Sequence, residues 1–271
     1  MSDDWLRLNR ENWDDRARVH ADSDFYDLPG FRAGHCTLRE FELAEVGDVS
    51  GRSLLHLQCH MGQDTLSWAR RGAAVTGVDF SETAIGTARG LAEDIGVSAR
   101  FVASDVYSVP ETLGERFDIV YTGIGSLVWL PDLTRWARVV ADSLADGGFL
   151  YLAEFHPLTD ILGQDGRSVE EGYFDVGGEV SDYASTYTDG RELTRTVTVE
   201  WRHSLGDVVT ALAEAGLRIE FLREHAATVF QRYPALRREE DGMYRFPPDR
   251  PRIPLMYSLR ARQRNVRPSP R

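Results

Sequence analysis

The sequence contains no lysine, and all 31 of its basic residues are arginine. That absence removes Schiff-base catalysis and the phosphate-binding lysine of P-loop nucleotidases, so pyridoxal-phosphate enzymes and P-loop NTPases are poor candidates. Cysteine is nearly as scarce. Cys36 and Cys59 are the only two, too few for a disulfide framework or a cysteine-based zinc site, and this usage fits a reducing compartment. No apolar run approaches the roughly 18 residues of a membrane span, and the charged start Met1-Ser-Asp-Asp-Trp5 lacks an apolar signal core. A cytoplasmic location is expected. Positive charge is in deficit as well. The net charge of −12 disfavours nonspecific affinity for nucleic acid or anionic lipid and suits a small, neutral-to-cationic substrate. The spacing of potential ligands shows no metal cluster, and the oligomeric state is not legible.

What is present is an alternation of strand and helix patterns. A chain of 271 residues can bury a core as one elaborated α/β domain without metal or disulfide staples. Strands are expected at 53–58, 74–79, 99–103, 117–122 and 148–155, with helices at 62–71, 81–94 and 132–144 between them. Such alternation implies a parallel sheet covered by helices on both faces. Asp146-Gly147-Gly148 reads as the close of a helix, and Ser81 and Ser204 are placed as helix caps, the second before a final helix and a strand at 217–223. Residues 5–20 carry Trp5, Leu8, Trp13 and Ala17 at near-helical spacing, an amphipathic helix outside the main core. Residues 1–45 are therefore read as an N-terminal helical lid, and 46–262 as the main domain. Between 160 and 201 glycines separate short segments and 193–201 alternates, which predicts an antiparallel ribbon walling a pocket. Residues 226–253 are irregular, 254–262 returns to a strand pattern, and a flexible tail is expected beyond.

The run Ser53-Leu-Leu-His-Leu-Gln-Cys-His-Met-Gly62 is a buried strand ending in a glycine turn, and Asp79 closes the next apolar run. A strand, a tight turn opening a helix and an acid about 20 residues on is a layout for holding a nucleoside cofactor. The Gly-x-Gly-x-x-Gly of a nicotinamide enzyme is absent, because Gln58, His60 and Gln63 occupy those positions.

Together with Ser104-Asp105-Val106 and Phe117-Asp-Ile-Val-Tyr121, these features resemble the class I S-adenosylmethionine-dependent methyltransferases, over roughly residues 50–157. The Leu-Gln-Cys-His loop and Trp129-Leu-Pro-Asp132 resemble a bacterial subgroup of that family. The resemblance implies a seven-stranded Rossmann-like sheet of order 3-2-1-4-5-7-6 with its last strand antiparallel, and S-adenosylmethionine as cofactor with S-adenosylhomocysteine as product. Most members carry an acid and three glycines in the first loop, where this chain has His56, Gln58, His60 and Gly62. In such a fold an ionised Asp79 can accept bonds from both ribose hydroxyls, and Phe80 can pack on the adenine face beside the Ser81 cap. Asp105 can accept the adenine amino group, with the Val106 N–H on the ring and Ser104 adjoining. Thr122 and Gly123 leave the fourth strand at the switch point where ligands bind. Asp64 and Thr65 begin a helix whose free N–H groups suit a carboxylate, with Gln58 or His60 adding donors. Cys59, in the same loop, reads as a small buried hydrophobe rather than a nucleophile.

Methyl transfer needs alignment more than a base, so its catalytic signature is weak. Glu154-Phe-His156-Pro157 leaves the fifth strand on the substrate side, where His156 can deprotonate an acceptor and Glu154, two residues before it, can orient the ring or touch substrate. Trp13, Tyr26 and the aromatics of 173–187 can cover the reacting group. The expected activity is methylation of a small-molecule O or N nucleophile. The loop Tyr121-Thr-Gly-Ile-Gly-Ser126 lacks the Asn-Pro-Pro-aromatic motif of base-amino methylation, which argues against nucleic acid. A noncatalytic cofactor-binding module and a nicotinamide-dependent oxidoreductase are the alternatives.

Overall fold

The computed structural model describes residues 4–174 and 177–263. In chain order its elements are helices α1 (Trp5–Ala21), α2 (Leu28–Arg32) and α3 (Glu40–Val46), then β1 (Ser53–Leu57), α4 (Gln63–Arg70), β2 (Ala74–Asp79), α5 (Glu82–Asp94), β3 (Arg100–Ala103), α6 (Val109–Leu113), β4 (Phe117–Thr122), α7 (Leu133–Ser143) and β5 (Leu144–Phe155). A ribbon β6 (Glu179–Asp182) and β7 (Val197–Glu200) follows, then α8 (Leu205–Glu214), β8 (Leu217–His225), the short pair β9 (Arg237–Arg238) and β10 (Tyr244–Arg245), and β11 (Met256–Gln263). The tail expected after Gln263 falls on residues 264–271, outside the described part.

One sheet organises the fold, in the order β3-β2-β1-β4-β5-β11-β8. β11 runs antiparallel to both β5 and β8, and the other pairings are parallel. With the ribbon set aside, this is the order that the resemblance implies. Both faces are buried because the strands alternate. Leu55 and Leu57 of β1 pack with Val120, Leu150, Trp136 of α7 and Leu212 of α8, whereas Leu54 turns to the opposite face with Ile119, Trp68 of α4 and Tyr151.

The Asp146-Gly147-Gly148 turn corrects one expectation. α7 ends at Ser143 and β5 begins at Leu144, so the turn lies inside the strand as an irregularity in its pairing with β4. Gly147 has φ +78°. A Cβ at Gly148 would lie 2.9 Å from the Ala145 carbonyl oxygen and 3.0 Å from that of Asp118, so close backbone approach fixes glycine there. The ribbon forms as expected, antiparallel with Asp182 opposite Val197. Among the described residues no helix is long and apolar enough to cross a membrane.

Candidate functional site

The carboxyl ends of β1, β4 and β5 open into a cavity of about 490 Å³. Its floor is the loop after β1 and the loop after β4. Its roof is Trp13 and Arg16 of α1, Tyr187 beyond the ribbon's first strand, and Phe230 of the irregular segment. A second void, of about 20 Å³, is bounded by Phe80, Ser104, Asp105 and Val106 and shut by Trp5 and Leu6 of α1. Gln58, Asp79 and Phe80 border both spaces. Asp79 therefore stands at the neck between a roomy chamber and a void that holds little more than a water molecule.

The first loop explains how glycine can be lost without losing the turn. Gln58, His60 and Gly62 have φ of 56°, 49° and 76°, so all three keep the left-handed backbone. That conformation costs a residue with a Cβ roughly 1–2 kcal/mol. Gly62 has no alternative, because a Cβ there would lie 2.7 Å from the Phe101 ring. The other two side chains make bonds instead. Gln58 Nε2 donates to the Ser126 carbonyl at 2.9 Å, fastening the β1 loop to the β4 loop, and His60 Nε2 lies 3.0 Å from His20 Nδ1 on α1. Gln58 Oε1 and His60 Nδ1 are buried without a hydrogen-bond partner among the described residues. Burial holds both histidines neutral, with His60 down to about 3 and His20 to about 2.

Asp79 is 6 % exposed. Burial pushes its carboxyl up to about 6, although it accepts from the Ser81 N–H at 2.9 Å and the His60 N–H at 2.8 Å. Cys59 is buried in the same loop, and burial drives its thiol well above the ordinary range, which removes it as a nucleophile. The start of α4 departs from expectation. Asp64 lines the cavity with its own carboxylate, and burial raises it. Glu42 stands behind it, raised to about 7 by burial and by Asp64. A cofactor carboxylate placed there meets negative charge, so the expected use of these first-turn N–H groups is not supported.

Some expected residues play other parts. Thr65 is fully buried and bonds His56 Nδ1 at 2.7 Å, Thr122 is fully buried inside the sheet, and neither lines the cavity. Ser81 caps α5 through the Ala84 N–H and donates to Asp14 of α1 at 2.6 Å. Asp105 caps the turn that follows it, accepting from the Tyr107 N–H at 3.3 Å. Gly123 lines the chamber, as its position at the end of β4 implied.

α1 is held over these spaces by polar bonds to the ribbon. Asn9 both donates to the Val199 carbonyl and accepts from the Val199 N–H, each at 2.8 Å, as a neighbouring strand would. Asp15 accepts from Arg191 at 2.6 Å and from the hydroxyl and N–H of Thr194. Burial alone would raise its carboxyl, but the Arg191 and Thr194 donors outweigh it and hold it far below the usual range. Arg16 is 9 % exposed, forms no ion pair among the described residues, and lies between the Trp13 and Trp129 rings at 5.4 and 5.7 Å. Burial lowers its pKa. No pattern of the sequence marked it, because its isolation depends on contacts across nearly the whole chain.

The expected Glu154–His156 partnership is not formed. Glu154 does line the cavity, but it accepts from the N–H groups of Gly125, Ser126 and Leu127 at 2.6, 2.8 and 2.9 Å, holding the β4 loop. Burial pushes it up to about 7 against those donors. His156 does not border the chamber. Its Nε2 is 3.0 Å from Glu224, and its Nδ1 accepts from the Leu158 N–H as a cap. β5 ends at Phe155, so the shared-face rule for alternate strand residues stops one position too early. His203 does border the chamber, as His56 of β1 and His60 of the loop after it do; its Nε2–H donates to the Leu130 carbonyl at 2.8 Å, and burial lowers its pKa. Of the aromatic residues expected to cover the site, Trp13, Tyr26 and Tyr187 line it, with the two tyrosine hydroxyls 2.5 Å apart, while Phe174 and Tyr183 face outward.

Residues 54–148 match the family described as a methyltransferase domain. These residues form a methyltransferase domain, set in a sheet of the class I order. Over 108 residues it is 31 % identical to the ubiquinone biosynthesis O-methyltransferase of Shewanella sp. (strain ANA-3), covering 40 % of this chain and 45 % of that protein. The chain thus spans less than half the length of the curated relatives it matches. Among solved structures, a methyltransferase from Mesorhizobium loti described as S-adenosylmethionine dependent superposes with a TM-score of 0.59 at 20 % identity, over 90 % of this chain and 100 % of that one. The magnesium protoporphyrin IX methyltransferase of Synechocystis PCC 6803, solved with bound SAH, gives 0.56 at 17 % identity, over 96 % and 99 %. At these identities the superpositions establish the fold of the methyltransferase domain.

Proposed function

We propose that this protein transfers the methyl group of S-adenosylmethionine to an O or N nucleophile of a small molecule. One observation carries the reading: Asp79, the buried acid at the end of β2, lines both the chamber and the void beside Phe80 and Val106, at the neck between the two. An adenosine group laid through that neck sets ribose against Asp79, with the Asp105 carboxylate and the Val106 N–H beside the purine. The orphaned atoms Gln58 Oε1 and His60 Nδ1 fit a polar ligand, since each costs about 1–3 kcal/mol while unpaired. The purine end is closed by Trp5, whose ring packs edge-on to Trp201 at 5.3 Å. The first turn of α1 therefore swings out to admit the cofactor, which makes α1 a lid. Truncation of Trp5 to alanine is expected to raise the association rate of S-adenosylhomocysteine at least fivefold in stopped-flow fluorescence. An unchanged rate counts against the lid.

When bound, the cofactor supplies an electrophilic methyl group, and the chain supplies position, dryness and a proton acceptor. Glu154 fixes the β4 loop that forms the floor, Trp13 and Trp129 exclude water, and Arg16 offers an anionic acceptor a counter-charge. His203, its tautomer fixed by Leu130, takes the acceptor's proton at Nδ1. His203→Gln is expected to slow transfer to a hydroxyl acceptor by tenfold or more while S-adenosylhomocysteine binding is kept, and His156→Gln is expected to leave transfer within threefold. The reverse ranking returns the base to His156. Transfer of a radiolabelled methyl group to a small-metabolite panel tests the activity itself. Labelling of tRNA or DNA alone, or binding of cofactor without transfer to any acceptor, contradicts it.

A further inference from the structure

Position 56, where most members of the resembling family carry an acid, holds a histidine that is 3 % exposed. His56 Nδ1 is engaged by Thr65, whereas Nε2 has no partner among the described residues and borders the chamber. In the tautomer whose Nδ1–H donates to the Thr65 hydroxyl, Nε2 presents a lone pair to the chamber. A Cβ built on Gly123 would lie 3.4 Å from that Nε2 and 3.9 Å from Asp64 Oδ2, so the bare glycine leaves one small space faced by both atoms. Asp64 Oδ1 is occupied by the Thr37 hydroxyl, and Oδ2 carries no bond among the described residues. Behind it Glu42, 2 % exposed, accepts from the Tyr121 hydroxyl at 2.5 Å and the Arg39 N–H at 2.9 Å. Neither carboxylate forms an ion pair with an arginine among the described residues. Arg39 also lines the chamber and its charge lowers both carboxylates, but it sits beyond ion-pair distance of each. Two adjacent carboxylates, Glu42 buried and Asp64 half-buried, offset only by that distant guanidinium, favour a positively charged ligand group, and a lone pair facing the same space favours one that donates hydrogen bonds.

We infer that Asp64, with His56 Nε2 beside it and Glu42 behind, seats the α-ammonium of the cofactor's methionyl end, so that the negative charge absent from position 56 is supplied from the first turn of α4. The inference rests on the cofactor reading above. An ammonium there lies between Gly123 and the β1 loop, past the ribose position at Asp79. It adds a cation to carboxylates that are otherwise stabilised against burial only by the Thr37 and Tyr121 hydroxyls, the Arg39 N–H and the more distant Arg39 charge.

Calorimetry with two ligands separates this seat from the rest of the site. S-adenosylhomocysteine and 5′-methylthioadenosine share the adenosine and the thioether, and only the first has an amino-acid end. Asp64→Asn is expected to weaken S-adenosylhomocysteine at least tenfold and to leave 5′-methylthioadenosine within twofold. Equal losses for both ligands, or no loss for either, overturn the assignment. If the variant fails to fold, the wild-type protein is titrated with S-adenosylhomocysteine and with its analogue lacking the α-amino group. A tenfold weaker analogue supports the seat, and equal affinity removes it. Wild-type protein that binds neither nucleoside overturns the cofactor reading and the seat with it, whereas nucleoside binding indifferent to the ammonium overturns the seat alone.

Discussion

Replacing Asp79 with alanine is expected to raise the dissociation constant for S-adenosylhomocysteine about thirtyfold or more, because two hydrogen bonds from ribose hydroxyls to a carboxylate are worth about 2 kcal/mol or more together. The same carboxylate sets a pH dependence. Its folded pKa of about 6 lies above the ordinary 3.8, so the ligand-free protein prefers the protonated acid, and ionising it above pH 6 costs roughly 3 kcal/mol. That contribution to stability is fully present below pH 3.8 and is lost as pH rises through 6. Ribose hydroxyls favour the ionised form, so affinity is expected to fall as pH drops below about 6, by up to tenfold per unit, and the alanine variant is expected to lose that slope. Calorimetric titrations at pH 5, 6 and 7.5 measure both effects. A variant that binds within threefold of wild type removes Asp79 from the site.

Glu154→Ala is expected to lower the unfolding free energy by about 3–5 kcal/mol, since it orphans three N–H groups of the β4 loop at once, two of them buried. His156→Ala, which loses a cap and a bond to the half-exposed Glu224, is expected to cost about 1–2 kcal/mol. Urea denaturation of the two variants distinguishes a carboxylate that holds a loop from one that serves as a catalytic partner. A Glu154→Ala protein within 1 kcal/mol of wild type contradicts the structural role.

The parts of this fold legible in the sequence are those specified by local chemistry. β1, β2 and β4 are short apolar runs bounded by turns, the Ser81 and Ser204 caps lie where their side chains reach the third N–H, and Asp79 ends a buried strand. The sheet order followed from resemblance rather than from periodicity. The chamber was less legible because long-range contacts build its roof: Asn9 meets Val199, Asp15 meets Thr194, and His20 meets His60. Where most members of the resembling family carry glycine, Gln58 and His60 keep the left-handed turn, and their side chains tie the loop to its neighbours. Sequence reasoning favoured His156 because it follows a strand at the right edge. Which way a side chain leaves the last strand residue depends on β8 and β11, more than 60 residues further along the chain.

The central claim is that the neck at Asp79 and the closed void beyond it receive the adenosine of S-adenosylmethionine. A crystal structure of the protein grown with S-adenosylhomocysteine tests it most directly. The account predicts ribose hydroxyls on Asp79, the purine between Phe80 and Val106, and Trp5 displaced from its present place against Trp201. A nucleoside bound elsewhere, or crystals from saturated protein in which Trp5 still shuts the void and no nucleoside is bound, would contradict it.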